Sequence, residues 1–127
     1  MSTTPYQKVG NTIFVTAAAT PGTGNISPAN ASNSFSKIQG PLFIKVDNVD
    51  SANIAFLNWG PSSSGITATI ANSSSSGTGI CIQPKATEII QLQTTGLSTG
   101  TATIYFSAAS AATANLYITP VISAEFV

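Results

Sequence analysis

The sequence predicts an all-β protein, a single-domain antiparallel β-sandwich with a jelly-roll-like path, a flexible N-terminal arm and long Ser/Gly-rich loops. Three observations carry that prediction. Apolar residues alternate over short runs that end at Gly, Pro, Asn or Ser, the pattern of half-buried strands. No stretch shows the broad apolar stripe of an amphipathic helix. Eight or nine such runs follow one another at short spacing within 127 residues, which fits a sandwich or closed barrel rather than an α/β enzyme fold.

Residues 1–11 form the polar arm and residues 12–127 the β-sandwich domain. Thr12 to Thr16 is the first strand. Leu42, Ile44 and Val46 alternate with Phe43, Lys45 and Asp47, giving one core face and one mixed face. Ile54 to Trp59 is more fully apolar and reads as an interior strand. Ile66, Ala68 and Ile70 alternate with Thr67 and Thr69, as a half-exposed strand would. Ile80 to Gln83 is short, and Thr87 to Leu92 follows Pro84 and Lys85. Gly96 to Gly100 is expected to be a hairpin connection. Thr101 to Ser107 and Ala114 to Thr119 read as paired strands with Ala108 to Ala112 as their turn, and Val121 to Val127 adds a last strand beyond Pro120. Between these runs, Ala19 to Ser36 and Gly60 to Gly79 are long Ser/Gly-rich segments, of a kind that compact domains seldom carry without use.

The inventory removes much chemistry. With no histidine, Ser-His-Asp triads, Cys-His pairs and His-liganded metals are excluded. Cys81 is the only cysteine, so no internal disulfide forms, and Ile80 and Ile82 place it as a small buried hydrophobe. The four lysines, Lys8, Lys37, Lys45 and Lys85, are scattered, so the cationic patch that nucleic-acid binding needs is missing. The polar start of the chain lacks the apolar segment of a signal peptide, and no run is long enough for a membrane span; synthesis in a cytoplasm is expected. Asn30-Ala31-Ser32 and Asn72-Ser73-Ser74 match the glycosylation sequon, a chance occurrence in so Ser- and Asn-rich a chain.

The titratable acids are Asp47, Asp50, Glu88 and Glu125. A glycosidase would need two of them across one sugar, and Asp47 and Asp50 are near neighbours. They lie, however, in Asp47-Asn48-Val49-Asp50-Ser51-Ala52-Asn53 between two strands, where Asp and Asn are ordinary turn formers. The same segment lacks the glycine and closing glutamate of a calcium loop. A Ser-Lys nucleophile pair has no motif behind it. No catalytic residue, metal, cofactor or small-molecule substrate is therefore expected. Trp59, at a strand end beside Gly60 and Pro61, is a candidate ligand or subunit contact.

Charged residues make up 6% of the chain against a hydrophobic fraction of 43%, and the net charge is zero. Little repulsion keeps copies apart, and aromatics such as Phe43, Phe56, Tyr105, Phe106 and Tyr117 allow apolar residues on both strand faces. A symmetric homo-oligomer is the expectation.

Several segments resemble the small all-β virion proteins of tailed bacteriophages, in particular head decoration or cement proteins. They are Ile54-Ala55-Phe56-Leu57-Asn58-Trp59-Gly60, Gly79-Ile80-Cys81-Ile82-Gln83-Pro84 running into Ala86-Thr87-Glu88-Ile89-Ile90, Thr101-Ala102-Thr103-Ile104-Tyr105, and Ala114-Asn115-Leu116-Tyr117-Ile118-Thr119-Pro120. The likeness spans Pro41 to Pro120, and Lys85 stands in a turn where that group would have glycine. The resemblance implies a homotrimer on the capsid exterior that bridges copies of the major capsid protein and stabilises the shell mechanically, without turnover. The shell contact is then expected on Pro5, Tyr6, Gln7 and Lys8 of the arm, a polar segment that orders on binding, together with one long loop. The competing expectation is a receptor- or carbohydrate-binding module of a phage tail or head fibre, using Trp59 and the Ser-rich loops.

Overall fold

The computed structural model describes residues 6–8, 10–26, 42–92 and 103–123. Among them the chain is all-β. The strands are β1 (Tyr6–Lys8), β2 (Ile13–Ala18), β3 (Gly22–Ile26), β4 (Leu42–Asn48), β5 (Ala55–Gly60), β6 (Ile80–Ile82), β7 (Thr87–Gln91), β8 (Ile104–Ala109) and β9 (Thr113–Ser123). They join in one nine-stranded sheet in the order β6-β5-β8-β2-β9-β4-β7, with β1 added to β9 and β3 to β8. Every pairing is antiparallel except the contact between β2 and β8, a single parallel pair, Ala18 with Ala109. The sheet thus has two halves: β1, β2, β4, β7 and β9 on one side of that contact, and β3, β5, β6 and β8 on the other.

Both halves feed one core. Val15, Ile44, Val46, Leu116 and Ile118 come from the first half and Leu57, Ile82, Ile104 and Phe106 from the second, all in a single buried cluster. Alternation places them: Ile44 and Val46 are buried as expected, and β5 lies between β6 and β8, the interior position its apolar run calls for. Where β2 turns into β3 the backbones approach so closely that a Cβ on Gly22 would stand 2.0 Å from the carbonyl oxygen of Thr16. Only glycine fits there.

The sheet curls toward closure, and Asn48 ties its two far ends together. Its side chain is 1% exposed. The amide donates to the carbonyls of Asn53 at 3.0 Å and Ile82 at 3.1 Å, and Oδ1 accepts from the Asp50 amide at 3.0 Å. Beside it the amide of Asn48 donates to the Ala86 carbonyl and that of Lys85 to the Asp50 carbonyl. This seam joins the end of β4 to the β6–β7 turn. The turn is closed by the Ala86 amide donating to the Gln83 carbonyl, with Lys85 at a φ of 61°, the left-handed conformation that glycine adopts at least cost.

Several expectations are corrected. Tyr6–Lys8, expected within a flexible arm, is a strand that pairs residue by residue with Val121–Ser123. Gly22–Ile26, expected in a loop, is β3, bonded along its length to β8. Ile66 to Ile70 is not a strand, because its backbone is held by side chains instead of a ladder. The Thr69 amide donates to Thr78 Oγ1, the Thr78 amide to Thr69 Oγ1, and the Ala68 amide to Ser107 Oγ. β8 and β9 are not paired with each other, since β2 lies between them. Ala108 and Ala109, expected in the turn, are the last residues of β8, and the turn is Ser110 to Ala112; Ser110 donates its amide to the Ala18 carbonyl and its hydroxyl to the Ile54 carbonyl. β9 also continues through Pro120 to Ser123 as one strand. The hairpin expected at Gly96 to Gly100 lies outside the described residues, and the strands flanking it, β7 and β8, are not neighbours. Cys81 is exposed rather than buried, because it lies on the outer side of β6, a strand at the sheet's edge.

Candidate functional site

Directly opposed residues of an antiparallel ladder point to the same side, so the register defines what each outer face carries. Across β7, β4, β9 and β2 one outer row is Thr87, Asp47, Tyr117 and Phe14. The row beside it is Ile89, Lys45 and Thr119, with the hydroxyls of Thr119 and Thr12 2.7 Å apart. Phe14 is 52% exposed and Tyr117 40%, and their rings pack against each other with centroids 5.2 Å apart at a tilt of 56°. Ile89 is exposed as well. The charges on this face are paired with near neighbours: Lys45 lies 3.8 Å from Asp47, which also accepts a hydrogen bond from the Thr87 hydroxyl. The result is a sheet face with exposed aromatic and aliphatic side chains and little net charge.

The outer face of the other half is covered over the middle of β8, while Thr23 and Asn25 of β3 and Cys81 of β6 stay exposed. The chain between β5 and β6 folds back over β8. Its Ala68 is buried, with its amide 2.9 Å from Ser107 Oγ, and Ser107 itself is only 3% exposed. Gly60 permits the cover to lie flat, since a Cβ there would stand 2.8 Å from the Ile66 side chain. Thr67, Thr69 and Thr78 staple the two arms of the segment, and Asn72 caps its tip by accepting from the amide and hydroxyl of Ser74. Between this cover and the exposed parts of β3 and β8 lies an open cleft of about 360 Å³. Tyr105, Asn25 and Thr23 line it from the sheet, and Ser63, Ile66 and Thr67 from the cover.

The sequence-derived candidates are distributed differently. Trp59 lies opposite buried Phe106 in the β5–β8 ladder and packs against the core, away from the cleft. Asp50 works as a turn former. Its carboxylate accepts from the amides of Ala52 at 2.9 Å and Asn53 at 2.6 Å, and these two bonds hold its pKa below the ordinary carboxylate value. Asp47 is engaged on the outer face, so the two acids serve separate structural contacts. Of the arm residues, Lys8 is exposed at the end of β1, Tyr6 and Gln7 are in β1, and Pro5 lies outside the described residues. The Phe14–Tyr117 pair and the Tyr105 cleft were not singled out as sites by the sequence. The signal for the former was the alternation of Phe14 with Ile13 and Val15, which puts an aromatic on the solvent side of a strand.

No protein-family model matches this chain, and neither a curated protein nor a solved structure shows significant similarity to it.

Proposed function

We propose that the protein is a structural component of a phage virion, a decoration or cement protein that binds the outside of the capsid as a homotrimer and acts without catalysis. The observation that carries this reading is the bare outer face of β2, β9, β4 and β7. Large apolar side chains exposed together on a rigid sheet are the feature that distinguishes an association surface from ordinary protein surface. The low charge of the chain supports it, because copies approach one another without repulsion. In this reading the two halves are the sheets of a jelly-roll-like sandwich, joined at Ala18 and Ala109 and stiff enough to bridge neighbouring copies of the major capsid protein. Contact with the shell falls on Pro5, Tyr6, Gln7 and Lys8. Since Tyr6–Lys8 is already a strand, this contact offers a preformed edge and does not depend on an arm that orders on arrival.

Light scattering over a range of concentrations, followed by co-sedimentation with expanded shells, tests the proposal. A trimer that sediments with shells is the expected result. The double variant Phe14→Ser, Tyr117→Ser is expected to weaken self-association by about 10–100-fold while leaving the monomer folded, since those rings contribute mainly when a partner covers them. A chain that stays monomeric throughout and leaves shells in the supernatant overturns the reading.

A further inference from the structure

We propose that the cleft over β3 and β8 binds a neutral saccharide, with Tyr105 as the stacking platform and Asn25, Ser63 and Thr67 as hydrogen-bonding groups at its rim. The inference is independent of the capsid reading. It rests on the chemistry that the register gathers at this place.

Tyr105 projects from the outer side of β8, flanked in the ladder by Gly60 on β5 and Asn25 on β3. Glycine on one side puts no side chain beside the ring in the ladder, and Ile66 fills the space over Gly60. On the other side the Asn25 amide offers two donors and an acceptor, enough to bridge adjacent hydroxyls of one sugar ring. Ser63 and Thr67 bring hydroxyls from the cover across the cleft. Among the described residues, no hydrogen bond occupies the side chains of Thr23, Asn25, Ser63 or Thr67, whereas Ser107 in the cleft floor is committed to the Ala68 amide.

The charge and size of the cleft narrow the ligand. Among the described residues no charged side chain lines it, so an anionic or cationic ligand would lose hydration with no counter-charge from them to receive it. Its volume of about 360 Å³ falls at the small end of the usual range for ligand sites and suits one or two sugar rings. An aromatic ring between neutral hydroxyl and amide groups matches a pyranose, which presents C–H bonds on one face and hydroxyls around its edge. The open mouth would leave the rest of a longer glycan in solvent, so affinity is expected to be weak for a single site and to gain by repetition on a multimer.

The test is a titration of the full-length, isotope-labelled chain with lactose, maltose and diacetylchitobiose, followed by NMR, with sialyllactose as the charged comparison. At roughly ten millimolar sugar, at least one neutral disaccharide is expected to move the amide signals of Asn25, Thr67 and Tyr105 together. Asn25 is exposed, so Asn25→Ala retains the fold and is expected to weaken that response about three- to tenfold. Tyr105→Phe keeps the platform and is expected to keep most of the binding, while Tyr105→Ala loses it. Should Tyr105→Ala fail to fold, Asn25→Ala decides. Absence of cleft shifts with all three neutral sugars overturns the proposal, as does a response unchanged in Asn25→Ala or a preference for sialyllactose.

Discussion

The two outer faces of this sheet are made from the same kind of alternating strand and end up opposite in character. On β2 and β9 the aromatics Phe14 and Tyr117 stand in solvent, while on β8 the polar Ser107 is buried beneath the chain's own cover. Each face inverts the usual sorting of apolar inside and polar outside. The difference lies in the segment between β5 and β6, which folds over one face and is fastened by hydroxyls and amides: Ser107 to Ala68, Thr78 to Thr69, Asn72 to Ser74. A chain with so few charges closes its own surface with neutral polar side chains. The aromatic face is one that nothing among the described residues covers.

The sharpest way to break this comparison is to cut what holds the halves together. Asn48→Ala removes two donors and one acceptor at the seam and leaves the Ile82 carbonyl buried without its partner. A loss of about 2–4 kcal/mol in denaturant unfolding is expected, with both halves melting in one transition. A loss below about 1 kcal/mol would mean that the shared apolar core, and not the seam, couples the two halves.

A smaller and more local effect separates the faces themselves. Ser107→Ala leaves the Ala68 amide without an acceptor, at a cost of about 1–2 kcal/mol that should fall on the cover. Hydrogen exchange is expected to quicken at Ala68, Thr69 and Thr78 while β9 amides keep their protection. Equal loss of protection in β9 would show that cover and sheet open as one unit, and the contrast between a covered and a bare face would then have no energetic basis.

The strands were legible in the sequence wherever alternation ran into a clear boundary. Ile44 and Val46 reach the core as read, and so do Ala55 and Leu57 of the interior strand. Failures came where side chains or long-range partners replace the local signal. Ile66 to Ile70 has the alternation of a strand but satisfies its backbone with Thr78 and Ser107 hydroxyls, a choice invisible without the fold. Gly22–Ile26 looks like a loop because glycines alternate in it, yet those glycines are what let β3 lie close against β2. The cleft was illegible for the same reason: Asn25, Ser63 and Tyr105 are far apart in sequence and meet only through the β3–β8 register and the returning cover. Trp59 is a candidate contact by its place at a strand end beside Gly60 and Pro61, but its strand parity places it toward the core.

The smallest predicted effect concerns acid and sharpens the account of the seam. Asp50 is ionised in a turn where the Ala52 and Asn53 amides donate to its carboxylate, so its folded pKa lies below the ordinary carboxylate value. A depressed carboxyl pKa stabilises the fold fully above the unfolded value, and that contribution is lost as pH falls through the folded value. Asp50→Asn keeps an acceptor for the two amides and removes the titration. The gap in denaturant midpoint between the wild-type chain and Asp50→Asn is therefore expected to be constant above about pH 5 and to close as pH falls through the depressed folded value. Its size is modest because the group is open to solvent and screened. Asp50 also gives its amide to Asn48 and receives the Lys85 amide, so the amides of this turn should lose exchange protection in acid before those of β8 or β9. A gap that persists unchanged into acid would show that the turn needs the geometry of an acceptor and not its charge, leaving the seam to Asn48 alone.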